Sequence, residues 1–534
     1  MTSFRADSLS TVALGAFLLF LLFYGFCITG LVLREPDICF LLGGGRWIIE
    51  HGHLPVTDPF SYTTHYHWAS YVVEKWLTEV IFYAIQSTFG TLGLLIFDAV
   101  ILSLAFVVMP HRIAHLCGWR GLPALGLTFL AALTSFSHLA IRPEIFSFAF
   151  AGIWLEILIR VNQKTEGNSA IDWRAIALIS LLMCLWSNLH TLFLFGFLLP
   201  GLYTTCLFLE RLFVKRLRQQ PLNLTAPIMT FACLAASLVN PYGLGLWCYM
   251  PNVFGPFNDS NNEMQPIGLS SMLNPFFFPF YLFSLVSLTH LIRRLRQPLQ
   301  HGDLFFRILI PAAIAGGFKT IRSIPLADLL LTAGVAHVLK KPQTQPSTFL
   351  DRLANPMSVR WVLLCFLVTV SGTVLATQAV PPEIPQASKA FTPPDKAIAY
   401  IEQHRPEGNL LNDPHFGATM IWKMRNNPPV FIDPRYNLFG NILLQDYWTM
   451  VDCAPGWQDR LKHYEINWVF LPPNLALSKR ISGEPNWQLL YSDDCSVIYA
   501  RKKHPDFSRN TGESPGSRYG QAQPQSDSHS YSKL

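Results

Sequence analysis

Residues 11–33, TVALGAFLLFLLFYGFCITGLVL, form an uncharged apolar run that stops at Arg34-Glu35-Pro36-Asp37. As a helix, a run of this length crosses the roughly 30 Å hydrocarbon core of a bilayer. It is too long for the apolar core of a signal peptide, and no small-residue cleavage site follows it, so it reads as a retained span. Glu35 and Asp37 then stand as two carboxylates directly at a membrane surface.

The remaining composition agrees. Of 534 residues, 51% are hydrophobic and only 14% are charged, far too apolar for a soluble protein of this size. Further apolar runs at 91–109, 122–137, 144–160, 175–187, 191–209, 224–239, 276–291, 304–318, 323–339 and 359–380 bring the expectation to about eleven crossings. The piece at 76–90 ends at Gly90 and reads as lying along or dipping into the interface. The fold class is thus an α-helical polytopic membrane protein with a soluble α/β domain at its carboxyl end. Residues 1–380 form the membrane domain with an outer loop at 34–75, 381–503 form the soluble domain, and the Ser-, Gln- and Gly-rich 504–534 form a disordered tail.

Basic residues alternate between loops. Arg112 and Arg120, Arg160, Lys164 and Arg174, Arg211 to Arg218, Arg293 to Arg307, and Lys340 to Arg360 mark one side, whereas 188–190 and 241–275 hold no Lys or Arg. By the positive-inside rule the amino terminus is inside, and the 34–75 loop and the carboxyl domain are outside. The net charge of +6 therefore needs no nucleic-acid partner. Of the ten cysteines, all but Cys453 and Cys495 sit in or beside apolar runs; those two form a disulfide pair if their domain faces an oxidising compartment.

This topology gathers polar residues at the outer ends of spans: Arg142 and Glu144 around Pro143, Asn188 and His190, Asn240 and Tyr242, and Lys319 and Arg322. Charged groups at membrane depth are costly unless they pair or face water, so such a set reads as a site. The chemistry it suits is group transfer from a phosphate-bearing lipid. A carboxylate accepts the proton of an acceptor hydroxyl, while Arg and Lys hold the departing phosphate. Each residue also has a plain structural reading. Lys319 and Arg322 snorkel to head groups, Arg142 and Glu144 close a turn, His190 bonds a neighbouring span, and Asn240-Pro241-Tyr242 terminates a helix.

The loop itself reads as an interfacial helix over 38–52. Gly43, Gly44 and Gly45 would weaken such a helix by about 1 kcal/mol each, so they point to close approach of another backbone or of a bound lipid. Asp58 follows, then His65-Tyr66-His67, which lacks a third ligand at a zinc spacing. In the carboxyl domain, helices at about 395–405 and 441–463 alternate with strands at 409–412, 429–433, 467–471, 487–493 and 496–502. Asp433 and Arg435 end one of those strands, where open α/β sheets tend to place ligands.

These residues resemble the GT-C superfamily of membrane glycosyltransferases, in particular multispan bacterial proteins similar to protein mannosyltransferases and oligosaccharyltransferase catalytic subunits. The resemblance runs through EPDICFLLGGGRWIIEHGHLPVTDPFSYT (35–63), LAIRPEIFSF (139–148), LWSNLHTLFLFG (185–196), LVNPYGLGLW (238–247), NEMQPI (262–267), IRSIPL (321–326), GNLLNDPHFGATMIW (408–422) and PVFIDPRYNLFG (429–440). Where the family has Trp-Trp-His after the acidic pair, this chain has Cys39-Phe40-Leu41. The resemblance implies an inverting transferase in a bacterial inner membrane, with its carboxyl domain in the periplasm. It implies Asp37, with Glu35 as the alternative, in the acceptor-activating role; the outer-face residues read above place Arg142, His190, Lys319 and Arg322 around the phosphate. The donor is then a polyprenyl-phosphate sugar, and the acceptor a glycan, lipid or protein. No residue pattern names a cofactor; a divalent metal, Mg or Mn, is compatible with the chemistry. Two other readings of the residues stay open: a flippase for a lipid-linked glycan, and a non-catalytic membrane assembly protein.

Overall fold

A computed structural model describes residues 36–66, 71–135, 141–254, 266–268, 274, 277–340 and 393–502. The expected spans at 11–33 and 359–380, Glu35 and the tail lie outside the described residues, as do the side chains of His65 and His67.

The first element, α1 (Pro36–His51), begins where proline's fixed φ suits a helix start and Asp37 meets the positive end of the helix dipole. It ends at Gly52, whose φ of 73° is open to glycine and whose N–H bonds the Ile48 carbonyl at 2.8 Å. Next comes α2 (Trp76–Ser103), in which Gly90 adopts φ 65° and ψ −167° and breaks the helical path at the boundary expected between 76–90 and 91–109. A wide turn at Leu104–Val108 leads into α3 (Met109–Leu116).

The bundle continues with α4 (Gly121–Ser135), α5 (Glu144–Thr165), α6 (Trp173–Leu189), α7 (Leu194–Phe213), α8 (Thr225–Ala236), α9 (Leu244–Val253), α10 (Phe278–Leu295), α11 (Asp303–Lys319) and α12 (Ile324–Val338). Helix α5 is buried along almost its whole length, including Trp154, Leu155 and Leu158, as an all-round apolar helix at the centre of a bundle must be. Within the described residues, the apolar runs expected to span are largely helical. Three helical stretches among the described residues are long and apolar enough to cross a membrane: Trp76–Leu116, Thr191–Phe213 and Ile321–Val338. Shorter apolar helices lie at Pro123–Ser135, Trp173–Leu189 and Thr225–Ala236. Helix α9 falls in the stretch expected to be loop; the Asn240-Pro241 stop signal hides a short helix that starts only after Gly243.

The carboxyl unit holds α13 (Asp395–His404), β1 (Asn409–Asn412), α14 (Pro414–Lys423), α15 (Tyr436–Val451), α16 (Trp457–His463), β2 (Ile466–Leu471), α17 (Ala476–Ile481), β3 (Trp487–Ser492) and β4 (Val497–Arg501). The sheet order is β1-β2-β4-β3, with β1 parallel to β2 and the other pairs antiparallel. The stretch 429–433 is not one of its strands. Flanked by prolines, it is held by the Asn412 side chain, which accepts from Phe431 N at 2.8 Å and donates to the Ile432 carbonyl at 2.7 Å. Its one bridge goes instead to the loop after α1, where Val430 pairs with Ser61. Cys453 and Cys495 carry free thiols.

Helix α1 is not laid out at a surface; it is wedged between α2 and α14. Its glycine run makes this possible. A Cβ on Gly43 would meet the Ile421 side chain, one on Gly44 the Glu79 carboxylate, and one on Gly45 the Glu79 carbonyl and Tyr83. The close approach expected from the three glycines is thus made by this chain's own groups. One turn on, Arg46 donates to the carbonyls of Trp422 and Ile421, both at 2.8 Å, closing the negative end of α14.

Gly45→Ala drives a methyl into the Glu79 backbone and is expected to destabilise the protein by about 1–3 kcal/mol in thermal unfolding in detergent. Gly126→Ala, with nothing within 4 Å of the new Cβ, is expected to leave the transition unchanged or raise it.

Candidate active site

The helix ends that carry the polar residues come together at one end of the bundle. Asp37 lies in the first turn of α1, and its Oδ2 is 3.5 Å from Nε of Arg142, the residue two before α5. Glu144, the first residue of α5 and almost fully buried, accepts from Arg322 Nε at 2.8 Å. Arg322 sits in the short turn Ile321–Ser323 between α11 and α12. One turn into α5, Ser147 is 2.8 Å from Nδ1 of the buried His190 and accepts from Trp186 Nε1 at 2.7 Å. The charges facing His190 are Glu144, Lys75 and Arg322. Asp37, Arg142, Glu144, His190 and Arg322 therefore share one neighbourhood, built from α1, α5 and the two turns that follow α6 and α11.

The other residues of the set have different roles. Asn188 accepts from Trp76 Nε1 at 2.9 Å and donates to the Val239 carbonyl at 2.8 Å, tying α6 to α2 and α8. Asn240 folds back on its own turn, accepting from Tyr242 N and donating to the carbonyl of Ser237, both at 2.8 Å. The Tyr242 hydroxyl accepts from Val73 N at 3.0 Å and pins the end of the opening loop. Lys319, the last residue of α11, is exposed and pairs with no carboxylate among the described residues.

A second cluster joins that loop to the carboxyl unit. Arg435 sends Nη2 to Asp433 Oδ2 at 2.6 Å, Nε to Asp433 Oδ1 at 2.8 Å, and Nη1 to both Asp58 Oδ1 and the Tyr71 hydroxyl at 3.0 Å. Asp58 also takes the backbone N–H of Phe60 and Ser61 and the Ser61 hydroxyl. Burial alone would pull the Arg435 guanidinium down, but Asp433 and Asp58 hold it well above its ordinary value. Burial pushes the Tyr71 hydroxyl well above its usual range, with Arg435 pulling the other way. With Glu74, Glu79 and Tyr249, Tyr71 and Arg435 line a cavity of about 20 Å³, room for about one water.

No family model and no curated protein matches the chain. Solved structures do. The archaeal oligosaccharyltransferase AglB from Archaeoglobus fulgidus, in complex with an inhibitory peptide and a dolichol-phosphate, aligns over 94% of this chain and 75% of its own at 11% identity, with a TM-score of 0.58. The A. fulgidus oligosaccharyltransferase tethered to an acceptor peptide aligns over 91% and 74% at 11% identity, with a TM-score of 0.55. ArnT from Cupriavidus metallidurans bound to undecaprenyl phosphate aligns over 92% and 97% at 14% identity, with a TM-score of 0.49. The chain shares the fold of the two oligosaccharyltransferase structures.

No three His, Cys, Asp or Glu side chains among the described residues gather to hold a metal ion. Sequence reasoning missed Ser147, Trp186, Lys75 and Tyr71. Ser147 was within reach, because it lies three residues after Glu144 on the same helical face.

Arg435→Ala leaves two carboxylates buried without their cation and is expected to cost about 3–5 kcal/mol in thermal unfolding. Arg435→Lys keeps the charge but loses the fork that engages Asp433 and Asp58 together, and is expected to fall between alanine and the parent.

Proposed function

We propose that the chain is an inverting glycosyltransferase that moves a sugar from a polyprenyl-phosphate donor to an acceptor at the outer face of a bacterial inner membrane. In this reading the chain crosses about eleven times, with its amino terminus inside and its carboxyl unit outside. The observation that carries it is the juxtaposition of Asp37 with Arg142 and of Glu144 with Arg322, at the bundle end where α1 meets α5. The fold shared with oligosaccharyltransferases supports it.

The steps follow from what each group offers. Asp37, with its side chain 29% exposed, accepts the proton of the acceptor hydroxyl. The hydroxyl oxygen forms the new bond to the anomeric carbon from the face opposite the phosphate. The bond from that carbon to the phosphate oxygen breaks, and its electron pair leaves with the phosphate. Arg142, Arg322 and Lys319 take up the negative charge, Arg through two N–H groups and Lys as a point charge. Glu144 aims Arg322, and Ser147 and Trp186 orient His190 towards the same space. Glu35 is the alternative base.

Asp37→Asn is expected to lower transfer by about 10²–10⁴-fold while Glu35→Gln has the smaller effect, measured by profiling surface glycans and by transfer in isolated membranes. If neither change alters any glycan while deletion of the gene does, the catalytic reading is wrong. Lys319 supports no other side chain among the described residues, so Lys319→Ala is expected to raise KM for the donor roughly tenfold with thermal stability unchanged.

A further inference from the structure

The carboxyl unit carries a second concave site that the transfer chemistry does not use. A cavity of about 680 Å³ opens among α16, the start of β2, the turn before β3 and the end of β4. Its size lies within the roughly 300–1,000 Å³ typical of small-molecule sites. It lies at the far end of the sheet from the transfer site. β2 runs from Ile466 at the cavity to Leu471, about 17 Å away, where Asp413 N bonds the Phe470 carbonyl and the chain enters α14, the helix docked on α1.

The lining selects its ligand. Trp457 is half-buried on one wall, and Trp487 is buried on another with the Arg501 guanidinium 4.9 Å above its ring. Arg501 is held in that pose by its Nε bond to the Ile466 carbonyl at 2.8 Å, and its Nη groups make no bond to a described residue. Asp459, Lys462 and Glu465 present charges of both signs and form no ion pair with described residues; Asn486 adds an amide. Glu465 has φ 51°, a left-handed backbone that side chains rarely adopt and that clusters at binding sites. Carboxylates beside the cations argue against a polyanion such as a phosphate chain, and the charged and amide side chains among the indoles argue against a lipid tail. Indole walls with interleaved donors and acceptors fit a sugar, whose hydroxyls both give and take hydrogen bonds and whose C–H face packs on an aromatic ring.

We propose that this cavity binds a segment of the acceptor glycan away from its growing end, holding an extended saccharide while the transfer site acts on its terminus. This rests on the transferase reading and names its acceptor as a glycan. It predicts that longer acceptors are used better than short ones.

The test uses the full chain in lipid nanodiscs and saturation-transfer NMR with three linear hexasaccharides: an α-1,4-glucan, a β-1,4-glucan and an α-1,6-mannan. The expected result is saturation of internal sugar protons in at least one of them, with affinity reduced about tenfold by Trp457→Ala. Asp459→Asn, an exposed change with no packing role, is expected to weaken binding as well. No saturation above empty nanodiscs for any of the three, or parental affinity in both cavity variants, overturns the proposal. Binding that persists in a chain whose glycan profile ignores Asp37→Asn would overturn the transferase reading and leave the cavity a glycan site.

Discussion

The close packing of α1 against α2 and α14 is the constraint from which the candidate site follows. With side chains at Gly43, Gly44 and Gly45, the helix would clash with Ile421, Glu79 and Tyr83 and would have to move outward. Its first turn would move with it, and Asp37 would leave Arg142. The same packing sets the carboxyl unit in place, because α14 lies on the other side of α1 and Arg46 closes its last turn. One glycine-faced helix thus links the charge cluster, the bundle and the sheet.

Charge is organised in two ways around that wedge. Asp58, Asp433, Arg435 and Tyr71 form a closed set: each buried carboxylate meets the guanidinium fork, and the backbone after Asp58 is folded onto it. Such a cluster is strongly destabilising when broken and offers little to a substrate. The Asp37 to Arg322 group is more exposed at its two ends. Its Asp37–Arg142 contact spans 3.5 Å, Arg322 remains 29% exposed along its side chain, and Lys319, three residues before Arg322, is exposed. Closed pairs build the frame, and the group at the bundle end keeps Asp37 and Arg322 partly exposed.

Much of the helical frame was legible in the sequence because a long apolar run has few alternatives to a helix. Gly90 marked the break in α2, and the order of strands 409–412, 467–471, 487–493 and 496–502 followed from β-branched and aromatic runs between turn signals. The convergence of Arg142, Glu144, His190 and Arg322 was legible once span ends were assigned to sides. What stayed hidden depends on contacts far apart in the chain. Nothing local at Asp433 announces Asp58 as the second partner of Arg435, and nothing in PVFID shows that it pairs with Ser61 rather than entering the sheet. Likewise α1 looks amphipathic in isolation, and only α14 shows why its other face is apolar.

The central claim, that a lipid phosphate docks against the cations beside Asp37, is tested most directly by photolabelling the purified protein with a photoreactive polyprenyl phosphate and mapping the labelled peptides. The account predicts labelling at 142–147 or 319–324, competed away by unlabelled polyprenyl phosphate. Labelling confined to other segments, or labelling at these sites that the unlabelled lipid does not compete, would contradict it.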